Sequence, residues 1–315
     1  MVEIRDQYML SLLTTLKAGG AAEYFATATS LNELVVLSSY ALNERLPLTV
    51  LGAGSNVLPS DDGVPGLVVL NRCQKIQVSS DGEVYAETGC LFQELFLKTV
   101  QAGLAGLEYA VGIPGTLGGA LVSNAGAYRS SVSEFVTELE IVANGERKWV
   151  EPAWMEFKYR DSILRRPSPP QAVVLAVRMK IPQGTPKVAY DEARDYQRQR
   201  ISKQPSPASA GSFFKNIYDS TLAESLTNLP ERLKKAKVVP AGYLLEQVGM
   251  AGYRHHAAMF SMRHANFMLN VGGATATAIR ELSCIARNRV KDRFGVELEE
   301  EVLYLGDWSR FSSVV

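Results

Sequence analysis

Histidine is scarce in this 315-residue chain: His255, His256 and His264 are the only three, and all fall in the stretch YRHHAAMFSMRHANF. Neighbouring side chains on a strand point to opposite sides, so His255 and His256 are not expected to share a metal, and no metal site is expected. Cysteine is equally sparse. Cys73, Cys90 and Cys284 are odd in number and far apart, which fits neither a disulfide framework nor a zinc site and agrees with a reducing, cytoplasmic compartment. Thirty-three basic side chains offset thirty-three acidic ones, so the chain lacks the electrostatic footprint of a protein that binds nucleic acid or an anionic membrane. Long apolar runs are missing too. The run AVVLAV at 172–177 falls far short of a bilayer span. The opening MVEIRDQYML has no basic segment followed by an apolar one, so neither export nor membrane insertion is expected.

What the chain does have is 46% apolar residues, enough for two or three domains with their own cores. In SLNELVVLSSYALNERLP, Ser30 as N-cap and Glu33 form a capping box ahead of a helical stripe that Pro47 ends. LPLTVLGAGSNVL reads as a buried strand, Leu48 to Leu51, running into a glycine loop, and GLVVL at 66–70 as the next strand of a small α/β unit. A second block follows: VYAETG as strand, CLFQELFLKTVQAG as an amphipathic helix closed by Gly103, a glycine-rich stretch at 112–126, and a hairpin about Asn144-Gly145. Residues 182–211 are polar and end rich in Pro and Ser, which predicts a charged helix leading into a linker. ATATAIRELSCIARNRVKDRF is the last helix, with Gly295 as its stop. VELEEEVLYLG then alternates, with Val296, Leu298, Val302 and Tyr304 on one face and Glu297, Glu299 and Glu301 on the other.

Several groups of residues offer chemistry. The loop Gly52, Ala53, Gly54, Ser55, Asn56 can form a nest of backbone N–H groups for a phosphate, or a plain tight turn. It is not a nicotinamide-type fingerprint, because Val57 stands where the third glycine would fall. GIPGTLGGALVSNAGAY at 112–128 fits backbone packed against a flat ligand, or tight packing of small residues. Two such loops in different α/β blocks suit a dinucleotide lying across both. In YRDS, Arg160 and Asp161 read most simply as a surface ion pair. Arg200 and Lys203 in RISKQP either clamp a diphosphate or line a solvated helix face. Glu301 sits in an acidic row flanked by Leu303 and Leu305. In ASAGSFFKN, Ser212 either caps a turn or holds a hydroxyl between apolar walls.

The order LGAGSN, GIPGTLGGALVSNAGAY, YRDS, SAGSFFKN, AGYLLEQVG, HANF and FGVELEEEV resembles the family of UDP-N-acetylenolpyruvoylglucosamine reductases, the MurB flavoenzymes of peptidoglycan synthesis, from about Lys17 to Gly306. The direct run from the glycine block to YRDS is similar to the shorter subtype, which lacks a tyrosine loop. The resemblance implies an α+β protein: a two-part FAD-binding module of the vanillyl-alcohol-oxidase/MurB type plus a separate α/β substrate-binding domain. The implied boundaries are 1–72 and 73–202 with 296–315 for the two FAD-binding parts, and 203–295 for the substrate domain. It implies non-covalent FAD held by Gly52, Ala53, Gly54, Ser55, Asn56, Ile113, Pro114, Gly115, Thr116, Gly118, Gly119, Asn124, Ala125 and Gly126. The catalytic residues are then Ser212, Arg160 and Glu301, and substrate is held by Lys203 and Asn216 with Arg200 beside them.

The implied reaction is NADPH-dependent reduction of UDP-N-acetylglucosamine enolpyruvate, a small-molecule substrate, by a monomer or weak homo-oligomer. Its chemistry agrees with the residues. Hydride addition leaves an enolate, which Arg160 can stabilise and to which Glu301, if it keeps its proton, can donate a hydrogen bond. The enolate carbon then takes a proton from Ser212. Two other readings share the fold: an FAD oxidase, disfavoured as a histidine-tethered enzyme because no histidine precedes 255, and a non-catalytic FAD-containing paralogue. Four positions depart from the family pattern. Ile217 stands where proline is common, Ala251 where lysine is usual, His256 in place of a glycine-containing turn, and Leu303 where a basic residue often stands. Two cations expected near substrate are therefore missing, which bears on substrate affinity and identity.

Overall fold

Ser30 starts the first helix, Leu31–Asn43, as its sequence predicts: its side chain accepts from Glu33 N at 3.3 Å. The Glu33 carboxylate instead turns back to Thr29, accepting from its N at 2.7 Å and its Oγ1 at 2.8 Å. The box therefore closes one residue earlier than expected. The helix ends before Pro47, where Arg45 takes φ +56. The computed structural model describes residues 2–205 and 208–311; Ser206 and Pro207 of the expected linker, and residues 312–315 of the expected C-terminal segment, lie outside them.

The chain divides into two compact units, the larger comprising Met1–Met9, Ala21–Gly54 and Val64–Ser202. Its first sheet runs Ile4–Met9, Ala21–Ala28, Val64–Asn71, Leu48–Leu51, the first pair antiparallel and the others parallel. Leu34, Leu37 and Ala41 of the first helix bury against Ala26, Leu67 and Val69 of that sheet and Val173 and Leu175 of the next. The second sheet is antiparallel, in the order Glu146–Val150, Val136–Ala143, Ala172–Lys180, Glu83–Glu87, Ile76–Val78. Its hairpin turns at Asn144 and Gly145, with φ +51 and +79, the primed-turn geometry that an Asn-Gly pair favours. Helix Phe92–Gln101 packs Phe92, Leu95 and Phe96 into a second core.

The smaller unit comprises Leu10–Gly20, Ser55–Gly63 and Lys203–Val315. Its antiparallel sheet runs Ser209–Ser212, Phe267–Asn270, Ala258–Phe260, Arg254–His255. Helix Ala276–Phe294 packs Ile279, Leu282 and Val290 into the core shared with Phe213, Phe214 and Phe260, and stops at Gly295 with φ +68. The sequence-based expectation groups 296–315 with the second flavin-binding part. In the structure the described part of this segment belongs to the smaller unit, because Leu303–Leu305 pairs in parallel with Val57–Pro59. Only those three residues of the predicted alternating strand are strand; Leu298 and Val302 are buried as expected.

Asp61 ties the Ser55–Gly63 piece of this unit to the long helix. Its carboxylate accepts from Ala276 N at 2.9 Å and from Thr277 N and Oγ1 at 2.8 and 2.7 Å. These are orphan donors of the helix N-terminus. Asp61→Ala is expected to lower stability by about 1–2 kcal/mol, read as a lower midpoint in urea with an unchanged slope; an unchanged midpoint would count against this cap.

Candidate active site

In the larger unit the two glycine loops meet. A Cβ on Gly52 would fall 2.3 Å from Thr116 Oγ1, so only glycine lets the first loop lie against the second. Thr116 is itself fixed as the N-cap of Leu117–Val122, accepting from Gly119 N at 3.3 Å. The glycines of the second block then separate by cause. Gly118 is pressed on Thr88, where a Cβ would meet the carbonyl oxygen at 3.0 Å, and Gly126 on Ser130, at 2.2 Å. Gly112 and Gly115 take φ +69 and +136. Gly119 is exposed, with only Thr116 Oγ1 near its missing Cβ, at 3.7 Å. Tight packing thus accounts for Gly118 and Gly126, while Gly119 is exposed with its N bonded to Thr116 and its carbonyl to Ser123. Ile113, Pro114 and Ala125 are not fully buried, and Ala53 and Gly54 complete the first loop of this unit.

Arg160 reaches beyond the surface-pair reading. Asp161 Oδ1 lies 3.9 Å from Arg165 Nε, and the Arg160 guanidinium donates to the carbonyls of Asn124, at 3.4 Å, and Gly126. A turn places it there: Lys158 and Asp161 exchange backbone hydrogen bonds at 3.1 and 3.2 Å, with Arg160 at φ +52. Asn124 locks this turn to the glycine block, donating from Nδ2 to Lys158 O at 2.9 Å and accepting from Ser133 N at 3.3 Å.

Arg200 lies against the same block: Nη2 donates to Tyr109 O at 3.3 Å and the guanidinium sits 5.9 Å from the Tyr128 ring centroid. Burial pushes its pKa down. Its Nε and the Tyr109 hydroxyl are buried without a hydrogen-bond partner among the described residues, and burial pushes the Tyr109 pKa up. Unpaired buried polar atoms of this kind cost stability unless a ligand or water meets them. With the Gly52–Thr116 approach, they fit a polar, extended cofactor such as FAD.

In the smaller unit, Ser212 ends a bulged strand. Between the pairs Ser209–Leu269 and Ser212–Phe267 the register slips, with Gly211 at φ +78; such a bulge re-aims the side chain that follows. Phe213 and Phe214 behind it are 1% exposed and meet edge to face at 5.4 Å. Asn266 fixes them: its main-chain oxygen accepts from Phe213 N at 2.8 Å, its Oδ1 accepts from Phe214 N at 3.0 Å, and its Nδ2 donates to Phe214 O at 2.8 Å. The opposite edge is bonded to the acidic row. Glu301 N donates to Phe213 O and Lys215 N to Glu299 O, each at 2.8 Å.

The half-buried residues Ser212 and Glu301 therefore flank one hydrogen-bonded pair. Glu300 points the other way, into Arg280 and Ser283, and Glu299 pairs with the buried Lys215. Asn56 joins the same group: Nδ2 donates to Glu301 O at 3.1 Å and its oxygen accepts from Leu303 N at 3.0 Å. Ser55 precedes it in the same unit. Asn216 is exposed, with Oδ1 accepting from Ala241 N at 3.2 Å, and Lys203 is exposed at the end of helix Pro186–Lys203. Asn266 and Tyr109 are the residues that sequence reasoning missed. The quoted HANF motif holds Asn266, but nothing local in it reveals a partner 52 residues away.

Residues 22–151 match the family described as FAD binding domain, and residues 202–305 the C-terminal domain of UDP-N-acetylenolpyruvoylglucosamine reductase. The class is thus a FAD-binding fold followed by a distinct C-terminal domain. A reductase of that name from Synechococcus sp. (strain JA-3-3Ab) is 38% identical over 302 residues, covering 95% of this chain and 90% of the relative. The one from Acaryochloris marina is 36% identical, covering 98% and 95%. The crystal structure of UDP-N-acetylenolpyruvylglucosamine reductase (MurB) from Thermus caldophilus superposes with TM-score 0.74 at 30% identity, over 97% of this chain and 99% of that one. The chain belongs to the UDP-N-acetylenolpyruvoylglucosamine reductase family. No helix among the described residues is long and apolar enough to cross a membrane.

Gly52→Ala is expected to lower flavin content several-fold, read as the visible-to-ultraviolet absorbance ratio of purified protein, because the added methyl separates the two loops; full flavin content would contradict this packing. His264 supplies a pH test. Its Nδ1 accepts from Asn266 N at 3.3 Å, and burial, with Lys203 next, holds its pKa below the usual value. The unfolded chain therefore takes up the proton first. Stability contributed by neutral His264 is complete above about pH 6.5 and declines as pH falls from there through the lowered folded value. His264→Asn should flatten this part of the urea-midpoint profile; an unaltered slope would contradict it.

Proposed function

We propose that the protein reduces UDP-N-acetylglucosamine enolpyruvate to UDP-N-acetylmuramate, with NADPH as reductant and FAD bound non-covalently, in peptidoglycan precursor synthesis in the cytoplasm. The observation that carries this reading is the backbone pairing of Phe213 with Glu301, which sets Ser212 and Glu301 at one edge. In this reading 1–72 and 73–202 are the two flavin-binding parts, each carrying one sheet of the larger unit, and 203–295 holds the substrate. The enzyme is of the shorter subtype and acts as a monomer or weak homo-oligomer.

FAD, when bound, would supply the two-electron chemistry, with NADPH as reductant, for hydride addition to the methylene carbon of the enolpyruvyl group. The residues that would hold it are Gly52, Ala53, Gly54, Ser55, Asn56, Ile113 to Thr116, Gly118, Gly119 and Asn124 to Gly126. Hydride addition leaves negative charge on the adjacent carbon and its carboxylate, and a fixed cation that needs no reorganisation stabilises it best. Arg160 has this property, since its backbone turn and its bonds to Asn124 and Gly126 are formed in advance. Glu301, keeping its proton, donates to the same charge, and Ser212 passes its hydroxyl proton to the enolate carbon, completing addition of two hydrogens across the double bond. Solvent returns the proton to Ser212. Arg200, Lys203 and Asn216 orient the nucleotide sugar.

The test is anaerobic. FAD in the purified protein should bleach with NADPH and recover its colour when the enolpyruvyl substrate is added, with the lactyl ether as product. Bleaching without recovery would sink the substrate assignment and favour the oxidase or non-catalytic readings. Ser212→Ala should keep flavin reduction by NADPH and lose roughly 10²–10⁴ in turnover; near-wild-type turnover would remove Ser212 as the acid. Glu301→Gln should lower kcat rather than raise KM, whereas a change confined to KM would make it a binding residue.

A further inference from the structure

We propose that His255, His256 and Glu281 form a site for a zinc-type divalent cation on the smaller unit. The expectation that the adjacent histidines diverge fails because His256 leaves the strand. It takes φ +51 in the turn between Arg254–His255 and Ala258–Phe260, and Arg254 Nε braces the turn by donating to His256 O at 2.7 Å. The two rings consequently meet, with centroids 4.5 Å apart and planes at 67°. Helix Ala276–Phe294 brings the third group, Glu281, whose Oε2 lies 2.9 Å from His255 Nε2. One donor atom from each of the three lies within 4.8 Å of the others.

A tetrahedral zinc ion about 2.0–2.2 Å from nitrogen and oxygen ligands keeps its donor atoms roughly 3.3 Å apart. Small side-chain rotations close the set to that size. Two imidazoles and a carboxylate suit Zn²⁺ over Mg²⁺ or Ca²⁺, and the exposure of His256 leaves the remaining coordination position to water. The ion replaces the proton shared by His255 and Glu281 and clips the hairpin to the long helix, apart from the catalytic steps. Thiols compete poorly for zinc here: burial pushes Cys73 and Cys90 up to about 12 and raises Cys284, and metal binding requires the thiolate.

The test is zinc chloride titrated into the flavin-loaded full-length chain against a chromophoric zinc chelator, with Tm recorded with and without the ion. One stoichiometric site is expected, with a higher Tm in zinc and no competition from a large excess of Mg²⁺. His256→Ala and Glu281→Gln should each weaken binding at least about tenfold and abolish the zinc-dependent rise in Tm, while flavin reduction by NADPH is unchanged. His256 is exposed, so its variant tests the site without a buried cavity. Absence of a stoichiometric site, or wild-type affinity in both variants, would overturn the proposal.

Discussion

The side chain of Asn266 is the constraint on which the edge carrying Ser212 and Glu301 depends. Its amide both accepts from and donates to the backbone of Phe214, in a place where neither group can reach water. Leaving a buried donor or acceptor unpaired costs about 1–3 kcal/mol, so this one side chain fixes the path of residues 213–215. Everything at the edge follows from that path. Phe213 and Phe214 face the core, Gly211 takes up the bulge, and the Phe213 carbonyl is left to receive Glu301 N. Glu300 is the second anchor. Its carboxylate is turned inward to Arg280 and Ser283, and alternation along an extended segment sends Glu301 to the opposite side.

The flavin-binding unit obeys a similar logic, with glycine and asparagine as the fixed points. The absence of a Cβ at Gly52 brings the first loop to Thr116, and Asn124 joins the second block to the turn that carries Arg160. Arg160 is tied to that block by the carbonyls of Asn124 and Gly126.

Local signals in the sequence were legible, and long-range ones were legible only through motif resemblance. Asn144-Gly145, Ser30 and Gly295 each act within a few residues, so their turn, cap and stop could be read directly. Glu33 shows the limit of this, because Thr29 offers two donors where the expected box offers one. Asn266 clamps a strand far away in sequence, and the Arg160 guanidinium reaches the carbonyls of Asn124 and Gly126; neither contact has a local signature. His255 and His256 were misread because a strand's alternation was assumed through a residue whose positive φ breaks it. The grouping of the C-terminal segment depended on a parallel pairing across more than two hundred residues, Leu303 with Val57, which no periodicity encodes. The departures at Ile217 and Leu303 have local consequences. Ile217 pairs with Val239 and Leu303 N donates to Asn56 O, so both positions serve backbone pairing. Nothing in the structure explains Ala251.

The central claim is that the Asn266-fixed edge aims the Ser212 hydroxyl at the carbon that must be protonated. A crystal structure of the FAD-loaded enzyme with the enolpyruvyl substrate bound tests it most directly. The account predicts Ser212 Oγ about 3–3.5 Å from the ether-bearing carbon. A Ser212 hydroxyl turned away from that carbon, with an ordered water in the donor position instead, would contradict it.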